Sequence, residues 1–340
     1  MKLVIKNIFN NSFSEGTVLF QKILYSITAV IVASILFSLT QKYFIFDINI
    51  ADLDKVNSSI LEINDNQKAN TSINIYKLPL YNSILTYNFL SKETKLDDFK
   101  STNIIPNITI SKLPNELKDI SSVKDRKELF IKIALPLIVG ENEILNNQNK
   151  KIKHLKDNFE YISKNDALWL IKKMKKYKVK NKSIDKLLIK VDTIPVSLAL
   201  SQAAIESGWG TSRFAMEGNA LYGQYVWGND EVGMVPTDRK NNEVYSIKAF
   251  SSLRESVASY MLNLNSNYHY NEFRNNRFIL KNADRKISGV YLAEFINNYS
   301  IEDNYPSKVI GVIKTNNLED LDDMKIDKRI IPANIMSDVI

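Results

Sequence analysis

The chain has 340 residues, 44% of them hydrophobic, and a formal net charge of +7. That is enough for at least one well-packed domain, and the basic balance suits an anionic partner. With no cysteine and only two histidines, His154 and His269, thiol catalysis, thiolate metal sites and disulfides are excluded. A multi-histidine metal site or a Ser-His-Asp triad has almost no material, which leaves carboxylates as the catalytic agents and no metal or cofactor to expect.

In chain order, the first feature is the uncharged run Ile23 to Gln41, "ILYSITAVIVASILFSLTQ". It is about the length a helix needs to cross a bilayer core. Lys2, Lys6 and Lys22 precede it and Asp47, Asp52 and Asp54 follow it. The lysine bias predicts a single-pass anchor with residues 1–22 in the cytoplasm and the body of the chain outside. A cleaved signal peptide is the alternative, but the run is long for one and no small-x-small site follows it. Residues 42–120 are mixed and irregular, with prolines at Pro79, Pro106 and Pro114, and read as a linker with a few short strands, as a small stalk, or as a segment that packs on the main body.

Helical signals begin near Ser122, where Asp125 and Glu128 precede "LFIKIALPLIVGENEILNNQ"; Pro136 is expected to kink or split that helix. Ser163 and Ser183 can cap two further helices, and the lysine-rich "IKKMKKYKVKNK" (Ile171 to Lys182) between them reads as a solvated helix face. No nucleic-acid-binding signature is present. Asp192 or Thr193 can cap "VSLALSQAAIES", with Pro195 at a permitted first-turn position and Gly208 as its stop. From Gly223 to Phe250 the period changes, and valines, tyrosines and turn residues predict a small sheet with a turn at Asn241-Asn242. Helices return at Ser252, in "KISGVYLAEFINNYS" and in "YPSKVIGVIKTNN". The expected domain is therefore a mainly helical α+β unit over 121–325 with a small β-lobe, followed by a tail at 326–340.

The chemistry concentrates at the end of the "VSLALSQAAIES" helix. Leu198, Gln202, Ile205 and Trp209 fall on one stripe at helical spacing, and Glu206 lies beside it. A carboxyl group against apolar surface is disfavoured as the anion, so its pKa tends to rise. An acid still protonated near neutral pH can give its proton to a glycosidic oxygen. Taken alone, Glu206 reads equally as a solvated glutamate at a helix end.

The surrounding residues separate the two. "QAAIESGWGTSRFAMEGNALYGQ" closely resembles the glucosaminidase motif of peptidoglycan hydrolases in glycoside hydrolase family 73: Gln202, Ala203, Glu206, Ser207, Gly208, Trp209, Gly210 and Ser212, then Asn219, Leu221, Tyr222 and Gly223. "SSLRESVASYMLNLNSN" and "YSIEDNYPSKVIGVI" resemble later motifs of the family, and "SYMLNLNSN" with "DRKELFIKIALPLI" resembles its Bax-like branch in Gram-negative bacteria. The resemblance covers about Ser122 to Leu318.

It implies a lysozyme-like α+β fold and cleavage of the β-1,4 bond between N-acetylglucosamine and N-acetylmuramic acid, with Glu206 as general acid. It also implies peptidoglycan glycan strands as the partner; together with the N-terminal anchor predicted above, which the resemblance does not cover, this puts the expected catalytic domain in the periplasm at the inner membrane. Gln202, Asn219, Tyr222, Gln224, Tyr299 and Tyr305 become expected substrate-binding residues. Trp209 joins them, chiefly as the brace of the turn after Glu206. For a second carboxylate the stretch offers Asp230, Glu231, Asp238 and Glu243, of which Asp238 and Glu243 have the best spacing. A base there gives an inverting mechanism; without one, the substrate's N-acetyl group serves as internal nucleophile. A lytic transglycosylase or muramidase, and a non-catalytic glycan-binding scaffold, are the competing readings.

Overall fold

The computed structural model describes residues 88–227, 232–237, 239 and 244–327. The expected membrane segment Ile23–Gln41, the turn at Asn241-Asn242, the four acids Asp230, Glu231, Asp238 and Glu243, and residues 328–340 lie outside them. Among the described residues no helix is long and apolar enough to cross a membrane.

The chain is mainly helical with two small sheets. Helix α1 (Leu96–Thr102) and strand β1 (Ile104–Ile105) lead into an irregular stretch that buries Ile108, Ile110, Leu113 and Leu117. Residues 88–120 thus contribute to the packed core, as in the reading of this stretch as a segment that packs on the main body. Buried Lys132 helps to hold them, its Nζ donating to the Thr94 carbonyl at 3.0 Å.

Helix α2 (Val123–Asp157) is capped by Ser122, whose Oγ accepts from Asp125 N at 3.3 Å. It runs unbroken through Pro136, where the sequence predicts a kink or split. Every residue from Leu129 to Gly140 is buried. Packing on all sides of that run outweighs the roughly 3 kcal/mol that an internal proline costs.

Helices α3 (Lys164–Lys176) and α4 (Ile184–Lys190) start on the predicted caps Ser163 and Ser183. Helix α5 (Val196–Ser207) follows and sits at the centre, against α2 and against elements that come later in the chain. Its N-terminal cap is not Asp192 or Thr193. Asp322 supplies it from far along the chain, accepting Ser197 N at 2.7 Å on Oδ1 and Ser197 Oγ at 2.9 Å on Oδ2. Asp192 is instead held by Lys281 at 2.8 Å and by its own neighbour's amide, Thr193 N.

After α5 come α6 (Arg213–Gly218) and the antiparallel sheet of β2 (Tyr225–Trp227), β3 (Gly233–Met234) and β4 (Tyr245–Lys248), with β4 central. This is the small β-lobe read from the sequence. Helix α7 (Leu253–Ser266) starts on Ser252, as predicted. Helix α8 (Asn271–Asn282) was not evident in the sequence, because its buried face carries Arg274 and Arg277 beside Phe273. Arg277 donates to the carbonyls of Ile189 and Thr193 and to Asn265 Oδ1, at 2.8 to 2.9 Å, fixing the turn that feeds α5.

Helices α9 (Gly289–Ala293) and α10 (Tyr305–Thr315) pack on α5. Strand β5 (Lys325–Ile326) then pairs in parallel with β1, Ile104 opposite Lys325. The domain therefore extends beyond both ends of the 121–325 span expected for it.

Candidate active site

Helix α5 ends on three consecutive left-handed residues, Gly208 (φ 57°), Trp209 (φ 56°) and Gly210 (φ 80°). Trp209 N closes the helix on the Ala204 carbonyl at 2.8 Å, and Gly210 N is accepted by Ser207 Oγ at 2.8 Å. Gly210 is required twice over. A Cβ there would lie 2.8 Å from both Leu117 and Phe130, in a backbone region that side chains avoid. The Trp209 ring meets Phe130 of α2 edge-on at 5.9 Å, with Lys127 Nζ 4.7 Å over its face. Tryptophan accepts this disfavoured backbone because α2 holds its ring, so it braces the turn.

That turn leaves Glu206 half-buried in the last turn of α5. Glu206 Oε1 accepts the Tyr305 hydroxyl at 2.7 Å. Tyr305 in turn accepts Gln202 Nε2 at 3.2 Å, and Gln202 Oε1 accepts the Tyr260 hydroxyl at 2.7 Å. The chain has one direction. Tyr260 occupies the amide oxygen, so the amide nitrogen must face Tyr305, and the one hydroxyl proton of Tyr305 goes to Glu206. The bond from Tyr305 is made to Oε1, and Oε2 is the other carboxyl oxygen.

Gly223 (φ 59°) runs past that oxygen, and a Cβ there would lie 3.2 Å from it. Glycine keeps the approach to Oε2 clear of any side chain.

Burial raises the Glu206 pKa; the Tyr305 hydrogen bond and nearby Lys308 pull it back, and Glu302 raises it again. Lys308 and Glu302 form an exposed ion pair at 2.8 Å. Burial also keeps the surrounding phenols neutral, with Tyr270 pushed up to about 12 and Tyr305 higher still. They are permanent hydroxyl donors rather than titrating groups.

The expected site residues divide accordingly. Gln202, Asn219 and Tyr222 are buried. Gln202 is the middle of the relay. Asn219 is the left-handed cap of α6 and donates to the Phe250 carbonyl at 2.9 Å. Tyr222 stacks on Tyr260 at 3.9 Å, and its carbonyl accepts the Tyr299 hydroxyl at 3.0 Å. All three are buried in the absence of a ligand, and Asn219 Oδ1 and the Tyr222 hydroxyl have no hydrogen-bond partner among the described residues.

Tyr305, also buried, is hydrogen-bonded to Glu206 and stacks on the partly buried Tyr299 at 5.6 Å. Gln224 is partly buried, and its Oε1 has no hydrogen-bond partner among the described residues. Tyr260 and Tyr270 belong to this cluster and were not singled out from the sequence. The one available signal was that Tyr260 follows Ser256 and Val257 at helical spacing, on the buried face of α7.

A pocket of about 510 Å³ lies at the opposite end of α5, bordered by Asn142, Pro195, Lys286 and Asp322. It is remote from Glu206 and takes no part in this arrangement. Burial holds Asp322 there at about 6 despite its two bonds from Ser197.

A model of the glucosaminidase family, described as mannosyl-glycoprotein endo-beta-N-acetylglucosaminidase, matches residues 181–318. Protein bax of Escherichia coli (strain K12) is 31% identical over 199 residues, which span 56% of this chain and 69% of that protein. Among solved structures, the catalytic domain of the autolysin Auto from Listeria monocytogenes aligns with 50% of this chain and 96% of its own, at 17% identity and a TM-score of 0.30. The family match spans the helix of Glu206, the glycines beside it and the tyrosines that hold it, and the chain belongs to the glucosaminidase family.

Proposed function

We propose that the protein is a peptidoglycan hydrolase, an endo-β-N-acetylglucosaminidase of lysozyme-like fold in which Glu206 is the general acid. One observation carries this reading. Glu206 is a carboxyl group whose pKa burial raises, held through Oε1 by Tyr305, with Oε2 beside the side-chain-free Gly223. In the reaction Oε2 gives its proton to the glycosidic oxygen as the bond from the sugar C1 to that oxygen breaks. The resulting oxocarbenium centre is captured by a water or by the substrate's own N-acetyl carbonyl. Asp238 and Glu243 are the proposed bases for the water route.

The test is Glu206→Gln, with digestion of isolated sacculi followed by mass spectrometry. Turnover should fall by about 10²–10⁴-fold, the usual contribution of a positioned acid, with the fold unchanged. N-acetylglucosamine at the new reducing ends supports the reading. Muramic or anhydro-muramic ends would replace it with a muramidase or lytic transglycosylase. Sacculus binding without turnover in the parent protein would replace it with a scaffold. The same proposal has Ile23–Gln41 anchor the chain in the inner membrane with the domain in the periplasm. Recovery of the intact protein in the soluble fraction of lysed cells would contradict that.

A further inference from the structure

The lysines of residues 164–190 are not used by the cleavage chemistry. This stretch holds ten lysines and two aspartates, a net +8, where the whole chain carries +7. All other residues together are therefore close to neutral, at −1. Both aspartates are taken by lysines of α2: Lys151 pairs with Asp166 at 2.8 Å, and Lys156 pairs with Asp185. Neither is left to offset the lysines of its own segment. Lys172, Lys175, Lys176, Lys178, Lys180 and Lys182 are exposed and form no ion pair with a described residue.

The cluster is held in place rather than strung along a loose loop. Lys178, Asn181 and Lys182 take left-handed backbone angles (φ 52°, 62° and 47°), which cost non-glycine residues about 1–2 kcal/mol each. Lys190 Nζ clamps the turn, donating to the carbonyls of Tyr177 at 2.8 Å, Lys178 at 3.2 Å and Ser266 at 3.0 Å. The positive field is felt by the neighbours. Burial brings Lys173 to about 8 with Lys176 adding to the shift, and Lys190 to about 8 with Arg274 and Lys178 adding.

We propose that this lysine surface is a docking site, separate from the cleft, for the carboxylate-bearing peptides of the cell-wall polymer. The proposal rests on peptidoglycan being the substrate. Other anionic partners fit the surface less well. No large apolar side chain is exposed between residues 164 and 190, so nothing there can enter the acyl region of a bilayer. Tyr177 is buried and Trp169 lies partly buried under Lys151 and Lys173, so no aromatic face is open for stacking nucleic-acid bases. The segment has no arginine, the side chain best matched to bidentate phosphate contacts.

Spread ammonium groups suit carboxylates repeated along a polymer. The surface is followed in the chain by α4 and then by α5, which carries Glu206 in its last turn. A hold elsewhere on the domain keeps the enzyme on an insoluble substrate between cleavages by raising its local concentration.

The experiment is co-sedimentation of the full chain, in detergent and as Glu206→Gln, with intact sacculi across a salt series. Combining Lys172→Gln, Lys175→Gln, Lys176→Gln and Lys180→Gln should weaken binding about tenfold or more at low salt and flatten the salt dependence. The four Lys→Arg changes should restore it. Amidating the wall carboxylates should abolish the difference between parent and Lys→Gln forms. Equal sedimentation of the two forms, or lysine-dependent binding that survives amidation, overturns the proposal. Cleavage of short soluble glycan fragments without peptides, by chains with Glu206 intact, should be the same in both forms. Loss of that cleavage in the parent chain would count against the hydrolase reading and leave the docking result to stand on its own.

Discussion

Tyr305 holds two hydrogen bonds that pull in different directions energetically. Its bond to Glu206 favours the carboxylate, while its bond from Gln202 satisfies a buried amide. Tyr305→Phe removes both. The acid then loses the hydrogen bond that lowers its pKa, so the pKa rises further. In its proposed role as general acid Glu206 works only while protonated, so the alkaline limb of the kcat profile should move to higher pH in the variant, and a pH–rate series reads that directly. The stranded Gln202 amide should cost about 1–3 kcal/mol in urea or thermal unfolding. The same pKa shift links stability to pH. The folded value of Glu206 lies above its unfolded value of 4.5, so its contribution is fully present below 4.5 and is lost as pH rises through the folded pKa. Tyr305→Phe should widen that window at its upper end.

At the scale of elements, the segment before α2 carries more weight than its composition suggests. Leu90, Phe99, Ile105, Ile108, Ile110 and Leu117 are all buried. At about 1.5–3 kcal/mol each they contribute on the order of 10 kcal/mol, comparable to the whole stability of an ordinary domain. Leu117 also packs where Gly210 turns the chain after Glu206. A fragment of residues 121–325 should therefore fail to show a cooperative melt, whereas residues 88–327 should melt cooperatively; circular dichroism against temperature distinguishes them. A cooperative melt of the shorter fragment would mean that residues 88–120 are dispensable.

Across the whole molecule, what was legible in the sequence was what is encoded locally. The serine caps of α2, α3, α4 and α7 each act within three residues, and the stop at Gly208 follows from one residue's backbone freedom. The helix of Glu206 and the small sheet were read on such signals. Asp322 as the cap of α5, Gln202 as a buried link and Pro136 inside an unbroken helix depend on partners far away in sequence, which no short window contains. Helix α8 was hidden for a related reason. Arg274 and Arg277 look like surface residues until the carbonyls of Leu264, Ile189 and Thr193 are brought to them. Residues 88–120 lack any sustained period, so their burial is visible only in three dimensions.

The distance in sequence between Glu206 and its partners also has a consequence in time. Tyr305 comes 99 residues after Glu206, and Asp322 comes 125 residues after the Ser197 it caps. Chains are made from the N-terminus at about 5–20 residues per second. For several seconds a growing chain carries the acid without the hydroxyl that orients it, and without the cap on the helix that bears it. The surroundings of Glu206 are thus completed by residues made long after it, and a chain cut short before Tyr305 carries the carboxyl group without its hydroxyl partner.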